Sequence, residues 1–91
     1  MIGSHDDWWE EAGEVALIGG WAQVPLGPDF AALVDTSSYQ VFLTSYDAVQ
    51  VFVQNRTPGS FEIHVLPVPH RRYSGATRCA YRVLARRLNA V

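Results

Sequence analysis

Of the 91 residues one is cysteine, so a disulfide within the chain is excluded and the usual staple of very small domains is missing. Cys79 and the three dispersed histidines, His5, His64 and His70, make no ligand cluster with the spacing of a structural zinc site. Lysine is absent altogether; all seven basic residues are arginines. No uninterrupted apolar run approaches the length that spans a bilayer, so membrane insertion is not expected. A secretory leader is not visible either. The chain starts Met1-Ile2-Gly3 and turns acidic and aromatic, and Gly3-Ser4-His5 has the look of a tag remnant.

What is present is apolar for a chain this short: 48% hydrophobic against 18% charged residues. That excludes disorder and suits one domain. A domain this small buries a limited share of its surface and is often marginal alone. With disulfides and metal set aside, association with further copies is the remaining source of stability.

The net charge of −2 hides an asymmetry. Asp6, Asp7, Glu10, Glu11 and Glu14 fall in the first fourteen residues, and six of the seven arginines lie from Arg71 onward. Arginine suits bidentate or partly buried pairs. Either the arginines are simply a solvated strand face, or the acidic start meets the basic end, within a chain or between chains. Nucleic acid is not an expected partner: the overall charge is negative and no basic-aromatic module motif is present.

Period-two alternation dominates the chain. Residues 21–26, 39–44, 49–54, 61–65 and 77–87 each read as a strand, with a possible further strand over Glu14 to Ile18. Pro25 marks a strand end or an edge. Phe30, Leu33 and Val34 share one helical face after Pro28, which predicts one or two helical turns. Asp35-Thr36-Ser37-Ser38 and Pro58-Gly59 read as turns. The fold class expected is therefore all-β: a small antiparallel sandwich or barrel-like domain with one short helical turn. Residues 1–12 are expected to be a flexible acidic and aromatic arm, 13–88 the β domain and 89–91 a tail.

The inward sets (Tyr39, Val41, Leu43; Val49, Val51, Val53; Phe61, Ile63, Val65; Tyr81, Val83) supply a core. Phe42, Phe52 and Leu84 sit on the opposite faces of their strands. Phe42 and Phe52 are expected to stack as neighbours, and either the helical turn or Trp21 covers them or a second chain does. Trp8 and Trp9 raise the same choice: one packs on its own domain, or both dock on a neighbour. Trp8, Trp9, Phe42, Phe52 and Leu84 are thus the candidate interface.

No catalytic residue is expected. Ser45 and Ser74 lack a nucleophile-elbow context. His64 reads as a surface or interface histidine, His70 as a loop residue, and Cys79 as an inert core thiol. The acids Asp29, Asp35, Asp47 and Glu62 are dispersed, without the close pairing of a carboxylate hydrolase. Gly19-Gly20 lacks the lysine and hydroxyl residue of a phosphate loop. No cofactor is expected.

The segment from Gly13 to Arg87, about four-fifths of the chain, resembles a small domain that recurs at the C-terminal ends of repetitive phage tail-fibre and bacterial surface or secreted proteins. The resemblance lies in Gly13-Glu14-Val15; in Gly20-Trp21-Ala22-Gln23-Val24-Pro25-Leu26-Gly27-Pro28-Asp29-Phe30; and in Asp35-Thr36-Ser37-Ser38 with Tyr39-Gln40-Val41-Phe42-Leu43-Thr44. It continues in Gly59-Ser60-Phe61-Glu62-Ile63 and Tyr81-Arg82-Val83-Leu84-Ala85-Arg86-Arg87. It implies a non-enzymatic, trimeric cap or head of an elongated protein, extracellular or virion-associated. The upstream fibre region is not in this sequence. The alternative expectation is a carbohydrate- or receptor-binding module using Trp8, Trp9, Trp21, Tyr46 or Tyr73.

Overall fold

The computed structural model describes residues 2–5, 7–67 and 77–88. Seven strands and one helix follow in the order β1 (Ile2–His5), β2 (Trp8–Leu17), β3 (Trp21–Pro25), α1 (Pro28–Leu33), β4 (Val34–Ser45), β5 (Val51–Gln54), β6 (Ser60–Val65) and β7 (Thr77–Arg87). They form a four-stranded sheet ordered β1-β2-β7-β4 and a three-stranded sheet ordered β3-β6-β5. All pairings are antiparallel. The inner faces of the two sheets meet in one core, so the all-β sandwich expectation stands.

Alternation explains this layout. On β7 the odd residues Cys79, Val83 and Ala85 are buried, while Arg78, Arg82 and Arg86 point outward. On β6 Phe61, Ile63 and Val65 are buried. β3 adds Val24, β4 adds Val34 and Tyr39, and β2 ends in Leu17. Pro25 closes β3, an edge strand, where its missing N–H leaves no gap in the ladder.

Two joints tie the sheets together. Gly19 and Gly20, at φ 68° and 89°, turn the chain from β2 into β3. Two successive positive φ values are what a tight two-residue turn of this hand needs, and glycine meets them without strain. At the other joint Tyr39, buried in β4, reaches across to the loop between β5 and β6. Its hydroxyl lies 2.7 Å from the Thr57 carbonyl and 2.9 Å from the Ser60 carbonyl. Helix α1 buries Phe30 completely, with Pro28 in its first turn. Glu11 of β2 accepts a hydrogen bond from the Gly27 N–H just ahead of that helix, at 3.1 Å.

Three expectations are corrected. The flexible arm over 1–12 is replaced by β1 and the first half of β2, which pairs residue for residue with β7 from Trp8↔Arg86 to Leu17↔Thr77. The tag-like Gly3-Ser4-His5 lies within β1. The turn expected at Asp35-Thr36-Ser37-Ser38 is a bulged part of β4: the register shifts between Val34 and Tyr39. Asp35 accepts the Ser37 N–H and hydroxyl at 2.9 and 2.6 Å, which fixes the bulge locally. Finally, Phe42 and Phe52 are not neighbours. They lie on β4 and β5, in different sheets, because β5 pairs with β6 and not with β4.

Candidate functional surfaces

The outer face of the four-stranded sheet is where the charge asymmetry resolves. Glu14 pairs with Arg78 at 2.5 Å and Glu10 with Arg82 at 3.5 Å, both across β2 and β7. Arg86 lies over the Trp8 ring at 5.4 Å, and Arg82 also covers the Phe42 ring at 5.0 Å. The acidic start therefore meets the arginine-rich end within one chain. These pairs are solvent-exposed, so each adds little stability; what they do is neutralise the face.

Trp9 alternates to the opposite face and packs against the chain's own core, the outcome in which one of the paired tryptophans belongs to its own domain. Its indole N–H is buried without a hydrogen-bond partner among the described residues. Trp8 and Leu84 are half-buried on the outer face, while Phe42 is exposed. Phe42 borders an open depression of about 290 Å³ with Thr44, Ala80, Tyr81 and Arg82.

β4 is the edge of this sheet, and no described strand pairs with its far side. The Tyr46 N–H bonds the Arg78 carbonyl at 3.3 Å. By the alternation of antiparallel ladders, residues 44, 42 and 40 also face β7, and 39, 41 and 43 direct their backbone groups outward. The Arg56 guanidinium occupies the Tyr39 carbonyl at 2.6 Å. Val41 and Leu43 form the open part of the edge.

The outer face of the three-stranded sheet is built differently. Register sets Trp21 (β3), His64 (β6) and Phe52 (β5) in one row across the strands. His64 stacks between the two other rings, with centroids 5.7 Å away on either side and interplanar angles of 17° to Trp21 and 24° to Phe52. Trp21 is 47% and Phe52 38% exposed. Because β3 and β5 are both edge strands, each of these rings has one face against His64 and the other beyond the sheet.

Two residues further along the strands lies a second row, Gln23, Glu62 and Gln54. Glu62 Oε1 takes two polar contacts, from His64 Nε2 at 2.8 Å and from the Asn55 amide at 3.0 Å, while the Gln23 amide donates to Ser60 Oγ at 3.3 Å. The hydrogen bond with His64, and then that from Asn55, hold the Glu62 carboxyl below its ordinary value. The row is therefore anionic at neutral pH, with an amide on either side.

Trp21, Phe52 and His64 were legible as outward-facing residues, but their meeting in one row was not. By sequence Glu62 reads only as a dispersed surface acid. Tyr46 is exposed at the end of β4 and away from these rows in register; His70, Ser74 and Tyr73 lie outside the described residues. Cys79 is buried, and burial pushes its thiol pKa up, opposed by a hydrogen bond from the Thr44 backbone. Among the described residues no three histidine, cysteine, aspartate or glutamate side chains converge on a metal position. No helix is long and apolar enough to cross a membrane. Compared with family models, with curated proteins and with solved structures, the chain matches none.

Proposed function

We propose that this chain is a non-enzymatic assembly domain that associates with further copies of itself along the free edge of β4. The observation that carries the reading is the open edge at Val41 and Leu43 with the exposed Phe42 ring between them. An unpaired, regular edge is a template for another strand, and closed symmetry is the usual way for a soluble chain to use one. The bulge at 35–38 and Arg56 on the Tyr39 carbonyl limit the template to its C-terminal half. Leu84, facing outward on β7 as the register partner of Gln40, extends the apolar surface beside Phe42. Two supports weighed in the sequence fall away: the acids and arginines pair within the chain, and Phe52 lies on the other sheet. Trimeric state, a place at the head of an elongated protein and a surface or virion location are part of this proposal, and they rest on the resemblance alone.

The test is light scattering coupled to size exclusion across a wide concentration range. The chain mass is 10.1 kDa. A mass three times this supports the whole proposal; twice this keeps assembly and removes the trimer; the monomer mass at high concentration overturns it. Phe42→Asp is expected to shift the mass toward monomer with the fold intact. Phe52→Glu, on the far sheet, is expected to leave the mass unchanged.

A further inference from the structure

We infer that the depression beside Phe42 is a seat for the Phe42 ring of another copy, which enters between Thr44, Ala80 and Arg82. This rests on the reading of β4 as the assembly edge and adds to it a named contact to which each copy brings one ring and one seat.

The depression follows from register. Glu14, Ala80 and Thr44 stand in one row across β2, β7 and β4, and Ala12, Arg82 and Phe42 stand in the next. On β7 and β4 the first row carries short side chains and the second carries long ones. Tyr81, between the two rows on β7, turns its ring to the other face, where it meets Gly13 and Phe61. The space over Thr44 and Ala80 is left open, about 290 Å³ beside Phe42. A cavity of about 150 Å³ is enough to accept benzene, so a phenyl ring fits.

The walls suit an aromatic guest. The Arg82 guanidinium already lies over its own Phe42 ring at 5.0 Å, and a second ring entering beside that one meets the same cation. Two rings side by side also form an aromatic pair. An anionic or sugar guest is served less well. Arg82 and Arg78 are engaged by Glu10 and Glu14. Of the lining residues only Thr44 turns a hydroxyl to this face.

The chain itself presents the guest. Phe42 is 44% exposed and lies between Val41 and Leu43, the open part of the edge. A copy that approaches at the strand spacing of about 4.8 Å brings its own Phe42 within diagonal reach of Thr44, the range over which aromatic side chains touch across strands. Charge does not oppose this. The pairs Glu10–Arg82 and Glu14–Arg78 cancel within each copy, so two identical faces meet there without like-charge repulsion.

Symmetry gives the contact a further consequence. An edge that meets only the same edge closes at two copies. A ring and its seat are different places on one chain, so this contact runs reciprocally between two copies or in sequence round three. A trimer needs a contact of the second kind.

The experiment uses the full chain, with light scattering coupled to size exclusion for each protein and native mass spectrometry for mixtures. Phe42→Ala removes the ring. Ala80→Leu fills the seat from β7, and Thr44→Leu fills it from β4, a second variant should the first disturb the sheet. Circular dichroism checks each fold. Every variant is expected to associate about tenfold or more weakly than the unaltered chain, the effect of leaving one phenylalanine unburied. Mixed in equal amounts, Phe42→Ala and Ala80→Leu are expected to assemble with each other more tightly than either does with itself, because one brings an open seat and the other a ring. If both seat-filling variants associate as the unaltered chain does, or if the mixture gains nothing, the seat is overturned while the edge reading stands. An unaltered chain that keeps the monomer mass at high concentration overturns the edge reading, and this inference with it.

Discussion

Tyr81 lies across Gly13, its register partner between β2 and β7, so closely that a Cβ on Gly13 would stand 2.6 Å from the ring carbon bearing the hydroxyl. The ring cannot simply withdraw, because its other side packs edge-on against Phe61 at 5.7 Å. Gly13 is thus the place where a missing side chain admits an aromatic from the next strand. Gly13→Ala is expected to destabilise the fold by about 1–3 kcal/mol, the usual cost of forced overpacking. Urea denaturation checks it. In a Tyr81→Ala background the same change should cost far less, and equal costs in the two backgrounds would show that Tyr81 is not what Gly13 makes room for.

Tyr39 predicts a second loss. Its hydroxyl is the polar tie between β4 and the loop joining β5 to β6, placed within bonding distance of two carbonyls. Tyr39→Phe keeps the buried ring and its contact with Phe61, and removes only that tie. About 0.5–1.5 kcal/mol of stability is expected to go, with more if a carbonyl is left dry. An unchanged urea midpoint would mean that water replaces the hydroxyl without penalty.

How much of this could be read from sequence depended on whether a segment's pattern answered to its own strand or to distant partners. Thr77–Arg87 alternates cleanly and is strand over that span. Trp8-Trp9-Glu10-Glu11 does not alternate, and by pattern alone it reads as an arm. The structure shows why the pattern breaks: Trp8 faces out because Arg86 covers it, and Glu11 faces in because the Gly27 N–H before α1 receives it. Both reasons are tertiary and lie many residues away. Asp35-Thr36-Ser37-Ser38 carries turn chemistry, which the Asp35 side chain does use, but within a bulge and not at a strand's end. The candidate rows show the same limit. Periodicity turns Phe52 and His64 outward, yet their stacking depends on the register of β5 against β6. That register is fixed by the loop of Asn55, at φ 52°, and Thr57 bonded to Ser60.

Alkaline pH should weaken this fold. Burial raises the pKa of Tyr39 above the ordinary value near 10, against the smaller opposing effect of the Arg56 charge. Burial, then the negative charge of Glu11, raises that of Tyr81. A tyrosine with a raised folded-state pKa contributes stability that is whole while both states are neutral. As pH passes 10 the unfolded chain ionises first, so stability falls until the folded-state values are reached. The Cys79 thiol, also raised by burial, starts the loss earlier, as pH approaches its unfolded value near 9, so the expected outcome is a melting temperature that is flat around neutral pH, begins to fall between about 8 and 9 and falls further above 10. Tyr81→Phe should make that decline shallower. A slope identical with and without Tyr81 would remove it from the account.

The N-terminal strands give the prediction that separates the observed fold from the arm expected at first. β1 pairs only with β2, at the edge of its sheet, so deleting residues 1–5 removes one strand and leaves every other pairing in place. Deleting residues 1–12 removes more. It strips the pairings of Trp8 to Ala12 with Arg86 to Arg82, the bond from the Arg87 N–H to the Asp7 carbonyl, and the Glu11 contact with Gly27. It also takes Trp9 out of the core, a loss of about 3 kcal/mol on its own for a large aromatic. Domains of this kind hold only about 5–15 kcal/mol in total. The shorter deletion is therefore expected to unfold cooperatively with a modestly lower midpoint, measured at low concentration because it bares the edge of β2. The longer one is expected to lose its cooperative transition, followed by near-ultraviolet circular dichroism in urea. A cooperative transition at the same midpoint after removal of residues 1–12 would show that the first half of β2 contributes nothing to folding, and that the core begins at Gly13.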